Sequence, residues 1–184
     1  MEEIIKKVVG GGIALLVIGG VGFTISQADV VNNLAEETGM TQEQAQQYVD
    51  ESQGQLESFA KIGQDTIDSG NEAIRVANSI DCVSYEYEWE SASLSCNEGK
   101  GQLSRLGNSE VALGECYKTL DTDLGKAARS RIEECIAAID AVMSSHGAPI
   151  VQFMISDEDL AESKKANAYN KSVLRAALQS DAKN

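Results

Sequence analysis

The hydrophobic pattern of the chain changes period several times, and its first block has no period at all. Val8 to Ala28 (VVGGGIALLVIGGVGFTISQA) contains no charged residue. As a helix rising about 1.5 Å per residue it spans roughly 31 Å, matching the roughly 30 Å hydrocarbon core of a bilayer. It predicts a single transmembrane helix. The competing reading is a cleaved secretory signal, with Lys6 and Lys7 as its basic front, Val8 to Phe23 as its apolar middle and Ser26-Gln27-Ala28 as a small-x-small site before Asp29. The apolar middle is long for a signal, which favours the retained anchor. Gly10/Ala14, Gly20/Thr24 and Gly22/Ser26 each sit four apart, a spacing that lets another membrane helix come close, although the strict GxxxG form is absent.

Beyond the anchor the period becomes helical. Asp29 to Thr38 predicts a short amphipathic turn or helix stopped at Gly39, and Thr41 with Gln44 forms a capping box that opens the next helix. An apolar or small residue then recurs every three or four positions: Ala45, Val49, Ser52, Leu56, Phe59, Gly63, Thr66, Gly70, Ala73, Ala77 and Ile80. This predicts one long heptad seam of about five heptads, made mostly of small residues. Gly54, Gly63 and Gly70 each cost about 1 kcal/mol of helix propensity relative to alanine, so close packing must compensate or the helix must bend. The helix that would fill the seam is either internal, from residues 109 to 145, or supplied by another chain.

In residues 82 to 96 (CVSYEYEWESASLSC) two periods overlap. Val83, Tyr85, Tyr87 and Trp89 alternate with polar residues as in a half-exposed strand, while Cys82, Tyr85, Trp89, Ala92, Cys96, Gly99, Leu103 and Leu106 continue the helical heptad. Tyr85, Tyr87 and Trp89 are either a contact surface for a partner or a plug at one end of a thin core. Gly107-Asn108 predicts a break, with Asn108 or Ser109 capping a helix through Val111, Leu113, Cys116, Tyr117 and Leu120. A further helix from about Asp123 carries Ile132, Cys135, Ile136, Ile139 and Val142 to a stop at Gly147 and Pro149. Ile150 to Ile155 reads as a strand or buried turn. Ser156 and Asp159 form a second capping box before a last helix through Leu160, Tyr169, Val173, Leu174 and Leu178.

Charge fixes the expected orientation. Lys6 and Lys7 precede the apolar run and no basic residue follows it until Lys61, so the positive-inside bias leaves the N-terminal tip cytoplasmic and exports residues 29–184. That part suits one domain with a real core. The net charge of −14 and pI near 4.4 remove the electrostatic basis for nucleic-acid binding.

Export changes the reading of Cys82, Cys96, Cys116 and Cys135, four cysteines with no CxxC and no Cys/His cluster: two disulfides are expected. Fourteen positions on one continuous helix would separate Cys82 from Cys96 by about 21 Å, far beyond the roughly 7 Å that a bridge allows. A Cys82–Cys96 bridge therefore requires the segment to fold back. Cys116 and Cys135 lie about equally far from a turn near Gly125, so an antiparallel helical hairpin would join them.

No catalytic constellation accompanies this framework. His146 is the only histidine and is expected at a helix end as a cap and dipole partner, with no Gly-x-Ser-x-Gly elbow to make a triad of it. Asp121-Thr-Asp123-Leu-Gly125 departs from a calcium loop at the glycine and at Ile132, where a glutamate is needed, and no phosphate loop is present. The expectation is thus an all-α protein: residues 1–28 as cytoplasmic tip and anchor, residues 29–184 as an exported helical bundle in the periplasm, a lumen or at the cell surface. Its partners would be the bilayer, through residues 8–28, and another membrane or exported protein or a second copy of the chain, with no cofactor. Ser52, Gly63, Thr66, Gly70, Ala73, Ala77, Tyr85, Tyr87 and Trp89 are the candidate interaction residues. The expected role is non-enzymatic, an accessory or assembly subunit, with an exported small-ligand-binding or sensory module as the alternative.

Overall fold

The computed structural model describes residues 25–52, 59–82, 87–89, 92–120 and 129–181. Ser26 caps α1 (Gln27–Thr38), its hydroxyl accepting from the Asp29 amide at 3.4 Å. Gly39 ends that helix at φ 70°, a left-handed conformation in which its N–H returns to the Ala35 carbonyl. The expected capping box opens α2 (Gln42–Ser52): the Gln44 amide donates to Thr41 Oγ1 at 3.2 Å and the Thr41 amide to Gln44 Oε1 at 3.0 Å. Next come α3 (Phe59–Ser79), the antiparallel strands β1 (Tyr87–Trp89) and β2 (Ala92–Leu94), and the 25-residue α4 (Cys96–Leu120). The chain closes with α5 (Arg129–Ser145), α6 (Pro149–Met154) and α7 (Asp157–Asp181). Ser156 caps α7 by accepting from the Asp159 amide at 3.1 Å, and three acids occupy its first turn, where the helix dipole favours them.

These helices bury two apolar clusters. The larger joins α3, α4, α5, α6 and one side of α7, through residues such as Ile62, Leu106, Tyr117, Ile139, Val151 and Leu174. The smaller joins Val30, Val31 and Leu34 of α1 and Ala45 and Val49 of α2 to Ala168, Tyr169, Val173 and Ala176 of α7. Helix α7 is therefore shared, and Ile25 packs against both clusters. The most extensive contact of all is between α3 and α4.

Both disulfides form as the sequence predicts. Cys82 pairs with Cys96 at a Cα separation of 5.3 Å, and the fold-back this requires is the β1–β2 hairpin, with Tyr87 opposite Leu94 and Trp89 opposite Ala92. Cys116 pairs with Cys135 at 5.5 Å, joining α4 to α5.

Other expectations are corrected. Gly107-Asn108 is no break: α4 runs through it, because Gly107 is a contact point with α3. The seam is not one surface, since Ala45 and Val49 face α1 and α7 while Ala73 and Ala77 lie in the larger cluster. Residues 150–155 are neither strand nor turn. Helix α5 stops at Ser145, ahead of Gly147 as expected, and Pro149, whose fixed φ suits a first helical position, then starts α6. Ser26, Gln27 and Ala28, read as the end of the span or as a cleavage site, form the cap and first turn of α1. The apolar run as far as residue 24, and with it the anchor, lies outside the described residues; among those described, no helix is long and apolar enough to cross a membrane. The Asp121–Gly125 turn also lies outside them.

Candidate functional site

Two glycine pairs set the distance between α3 and α4. Gly70 faces Gly107 and Gly63 faces Gly114, so each helix presents glycines seven residues apart to an antiparallel partner. A Cβ added at Gly70 would lie 2.5 Å from the Gly107 carbonyl oxygen and 2.8 Å from the Val111 nitrogen; one added at Gly63 would lie 2.6 Å from the Gly114 oxygen. The obstructing atoms are backbone, which no rotamer change can move. The helices touch main chain to main chain, and this contact is what the missing side chains make possible.

Between the two pairs lies a carboxyl group. Glu110 is buried, and the Ser69 hydroxyl donates to its Oε2 at 3.1 Å. Burial pushes the Glu110 pKa up to about 8, against which the Ser69 bond acts only in part. Thr66, one turn before Ser69, is buried as well, its hydroxyl donating to the Ile62 carbonyl at 2.8 Å.

A second polar group gathers on α7. Lys171 Nζ donates to Glu37 Oε2 at 3.0 Å and to Asp140 Oδ1 at 2.6 Å, and Arg175 also pairs with Glu37, so α1, α5 and α7 meet in one ion network. Burial alone would lower the Lys171 pKa, but the two carboxylates outweigh it and raise it. Asn170 Nδ2 donates to the Tyr117 hydroxyl at 3.1 Å, and Asn33 Nδ2 to the Ser172 carbonyl at 3.3 Å. None of these residues stands out in sequence. Asn170-Lys171-Ser172 reads as a polar interruption between Tyr169 and Val173, and its partners come from α1, α4 and α5.

The candidate interaction residues do not form one patch. Gly63, Gly70, Ala73 and Ala77 are buried in α3, with the two glycines against the chain's own α4. Ser52 is buried on α2, its hydroxyl donating to the Tyr48 carbonyl at 2.5 Å. Tyr87 and Trp89 alternate along β1, and Tyr85 lies outside the described residues.

His146 is corrected too. It follows the last residue of α5 but is 1% exposed, and its Nδ1 has no hydrogen-bond partner among the described residues. Burial, with Lys164 nearby, pushes its pKa down to about 4, so at neutral pH it is uncharged and cannot serve as the cationic dipole partner. Among the described residues nothing at Nδ1 orients the ring for proton transfer. Among the described residues no group of three His, Cys, Asp or Glu side chains is placed to hold a metal. Comparison with protein-family models, curated proteins and solved structures finds no match to this chain.

Proposed function

We propose that the chain is a non-enzymatic, membrane-anchored helical protein that serves as an accessory or assembly subunit of a membrane or surface complex. The observation that carries this reading is that all four cysteines are paired in a fold whose first helix starts directly behind an uncharged apolar run. Paired cysteines suit an oxidising compartment, and the lysines before the run orient the domain toward one. Ile25 and Ser26 support retention over cleavage, since a cut before Asp29 would discard a residue packed on both clusters and the cap of α1.

The assembly part of the proposal draws on what the domain leaves outward. The small-residue seam is occupied internally, so a partner would meet the surface instead, where Phe153 on α6 is 63% exposed. Protease added to sealed vesicles tests the topology: a C-terminal tag on the exported side is digested, and non-reducing peptide maps show the 82–96 and 116–135 links. A protected tag with free thiols would overturn the exported reading. Native gels in mild detergent test assembly, where migration at the size of a single 19.6 kDa chain plus its micelle would overturn the subunit reading.

A further inference from the structure

Between the two glycine pairs the contact between α3 and α4 buries one carboxyl group, Glu110, and among the described residues no charged side chain pairs with it. Glu110 lies one turn from Gly107 and from Gly114, the two positions where backbone meets backbone, so little room remains for water to reach its oxygens. Its one hydrogen-bond donor among the described residues is the Ser69 hydroxyl, a neutral group.

Among the described residues the surrounding charges offer no counter-ion. On α3, no basic residue lies between Lys61 and Arg75, both exposed, and the acids Asp65, Asp68 and Glu72 are exposed or half-buried. On α4, Glu98, Arg105, Glu115 and Lys118 are exposed, and Lys100 is half-buried in the first turns of the helix, well away from Glu110 along it. From α5 the buried residues are Ile132, Cys135, Ile139 and Val142, while Arg129, Arg131, Glu133, Glu134 and Asp140 are exposed. Helix α6 carries no titratable residue. On α7, Lys171 is committed to Glu37 and Asp140, Arg175 pairs with Glu37, and Asp157, Glu158, Asp159, Glu162, Lys164 and Lys165 are exposed. His146, beyond the end of α5, is neutral at neutral pH, and only burial and the Ser69 bond act appreciably on Glu110.

An ionised carboxylate in such a place must either draw in water or leave, and α3 is the element able to give way. Helix α4 is fastened at both ends, by Cys82–Cys96 at the hairpin and by Cys116–Cys135 to α5, whereas α3 is fastened only at its hairpin end. We propose that Glu110 is a protonation latch: neutral, it lets α3 lie against α4; ionised, it parts the two helices from the Gly63–Gly114 end, with Cys82–Cys96 as the hinge. Opening would uncover Gly63, Thr66 and Gly70, the small-residue face that the closed domain hides. In the weakly acidic to mildly alkaline range the latch would therefore control whether another helix can reach that face.

Hydrogen–deuterium exchange on the full-length chain in detergent tests this, with rates corrected for the intrinsic pH dependence of exchange. Between pH 6 and pH 8.5, peptides from residues 59–79 should lose protection by about tenfold or more, and by clearly more than peptides from α1 and α7, which follow only the fall in global stability. Glu110→Gln, which keeps the shape and cannot ionise, should hold α3 protected at both pH values. Ser69→Ala, which removes that donor and so further penalises the ionised carboxylate within the closed contact, should make the loss at pH 8.5 larger. Uniform loss of protection in all helices would overturn the latch in favour of a general effect on stability. So would an α3 that stays protected at pH 8.5 in the wild type, or one that loosens equally in Glu110→Gln.

Discussion

Glu110 and His146 are both buried, and burial moves their proton affinities in opposite directions with respect to stability. With its pKa near 8 in the fold and an ordinary value of 4.5, Glu110 keeps a proton that the unfolded chain gives up. Its contribution is therefore complete below about pH 4.5 and is lost as the pH rises through 8. His146, near 4 in the fold against 6.5 in the open chain, refuses a proton that the unfolded chain takes. Stability from that source is complete above about pH 6.5 and is lost as the pH falls through 4. Each titration has a limiting slope of about 1.4 kcal/mol per pH unit, so the two nearly cancel where they overlap. Denaturation midpoints of the wild type should change little between pH 5 and 6.5 and then fall toward pH 8. Glu110→Gln should abolish that fall, and His146→Gln should make stability decline with pH across the whole range; a wild-type curve flat from 6.5 to 8 would contradict the buried-carboxyl account. Neither role was legible locally. His146 is followed by glycine and preceded by two serines, the signature of a helix end in solvent, and only the neighbouring helices bury it.

At the scale of elements, the local rules worked wherever a helix end is made by its own neighbours. Gly39, the Thr41–Gln44 box and the Ser156–Asp159 pair need nothing distant, and all three are found as read. Gly107-Asn108 misled because its meaning depends on Gly70, far along the chain: a glycine that would end an isolated helix becomes, opposite another glycine, the point where two helices touch. This gives a sharp expectation for alanine substitutions. Gly63→Ala, Gly70→Ala, Gly107→Ala and Gly114→Ala each gain helix propensity of about 1 kcal/mol but force a Cβ against backbone, an overpacking cost of about 1–3 kcal/mol or more. All four should destabilise. Gly101→Ala is the control, because a Cβ there meets nothing closer than an Arg105 guanidinium nitrogen at 3.6 Å. It should stabilise the chain by up to about 1 kcal/mol in equilibrium unfolding. If Gly70→Ala behaved like Gly101→Ala, the backbone contact between α3 and α4 would not exist.

Over the whole molecule, the disulfide framework and the all-helical class were legible because cysteine spacing and hydrophobic period are chain-wide constraints. The division into two clusters sharing α7 was not, since the polar residues that join them, Asn33, Glu37, Asp140 and Lys171, come from three different helices. That division bears on how the folded body begins. Ile25 touches both clusters and Ser26 caps α1, so the chain passes from the apolar run into the folded body with no spacer between them. Ser26→Ala should cost about 1 kcal/mol by leaving a first-turn amide of α1 unsatisfied. Ile25→Ala should cost about 1–3 kcal/mol, the lower part of the range for a large-to-small change because Ile25 is only partly buried. The double variant should approach the sum or exceed it, because both changes loosen the same end of α1. Equilibrium unfolding of the full-length variants in detergent measures all three, and exchange in α1 locates the effect. Losses confined to α1 and α2 would show that Ile25 serves the smaller cluster alone, whereas losses that also reach α5 and α7 would show that the residues ahead of α1 brace both; no loss in either variant would mean that Ile25 and Ser26 contribute nothing to the folded body.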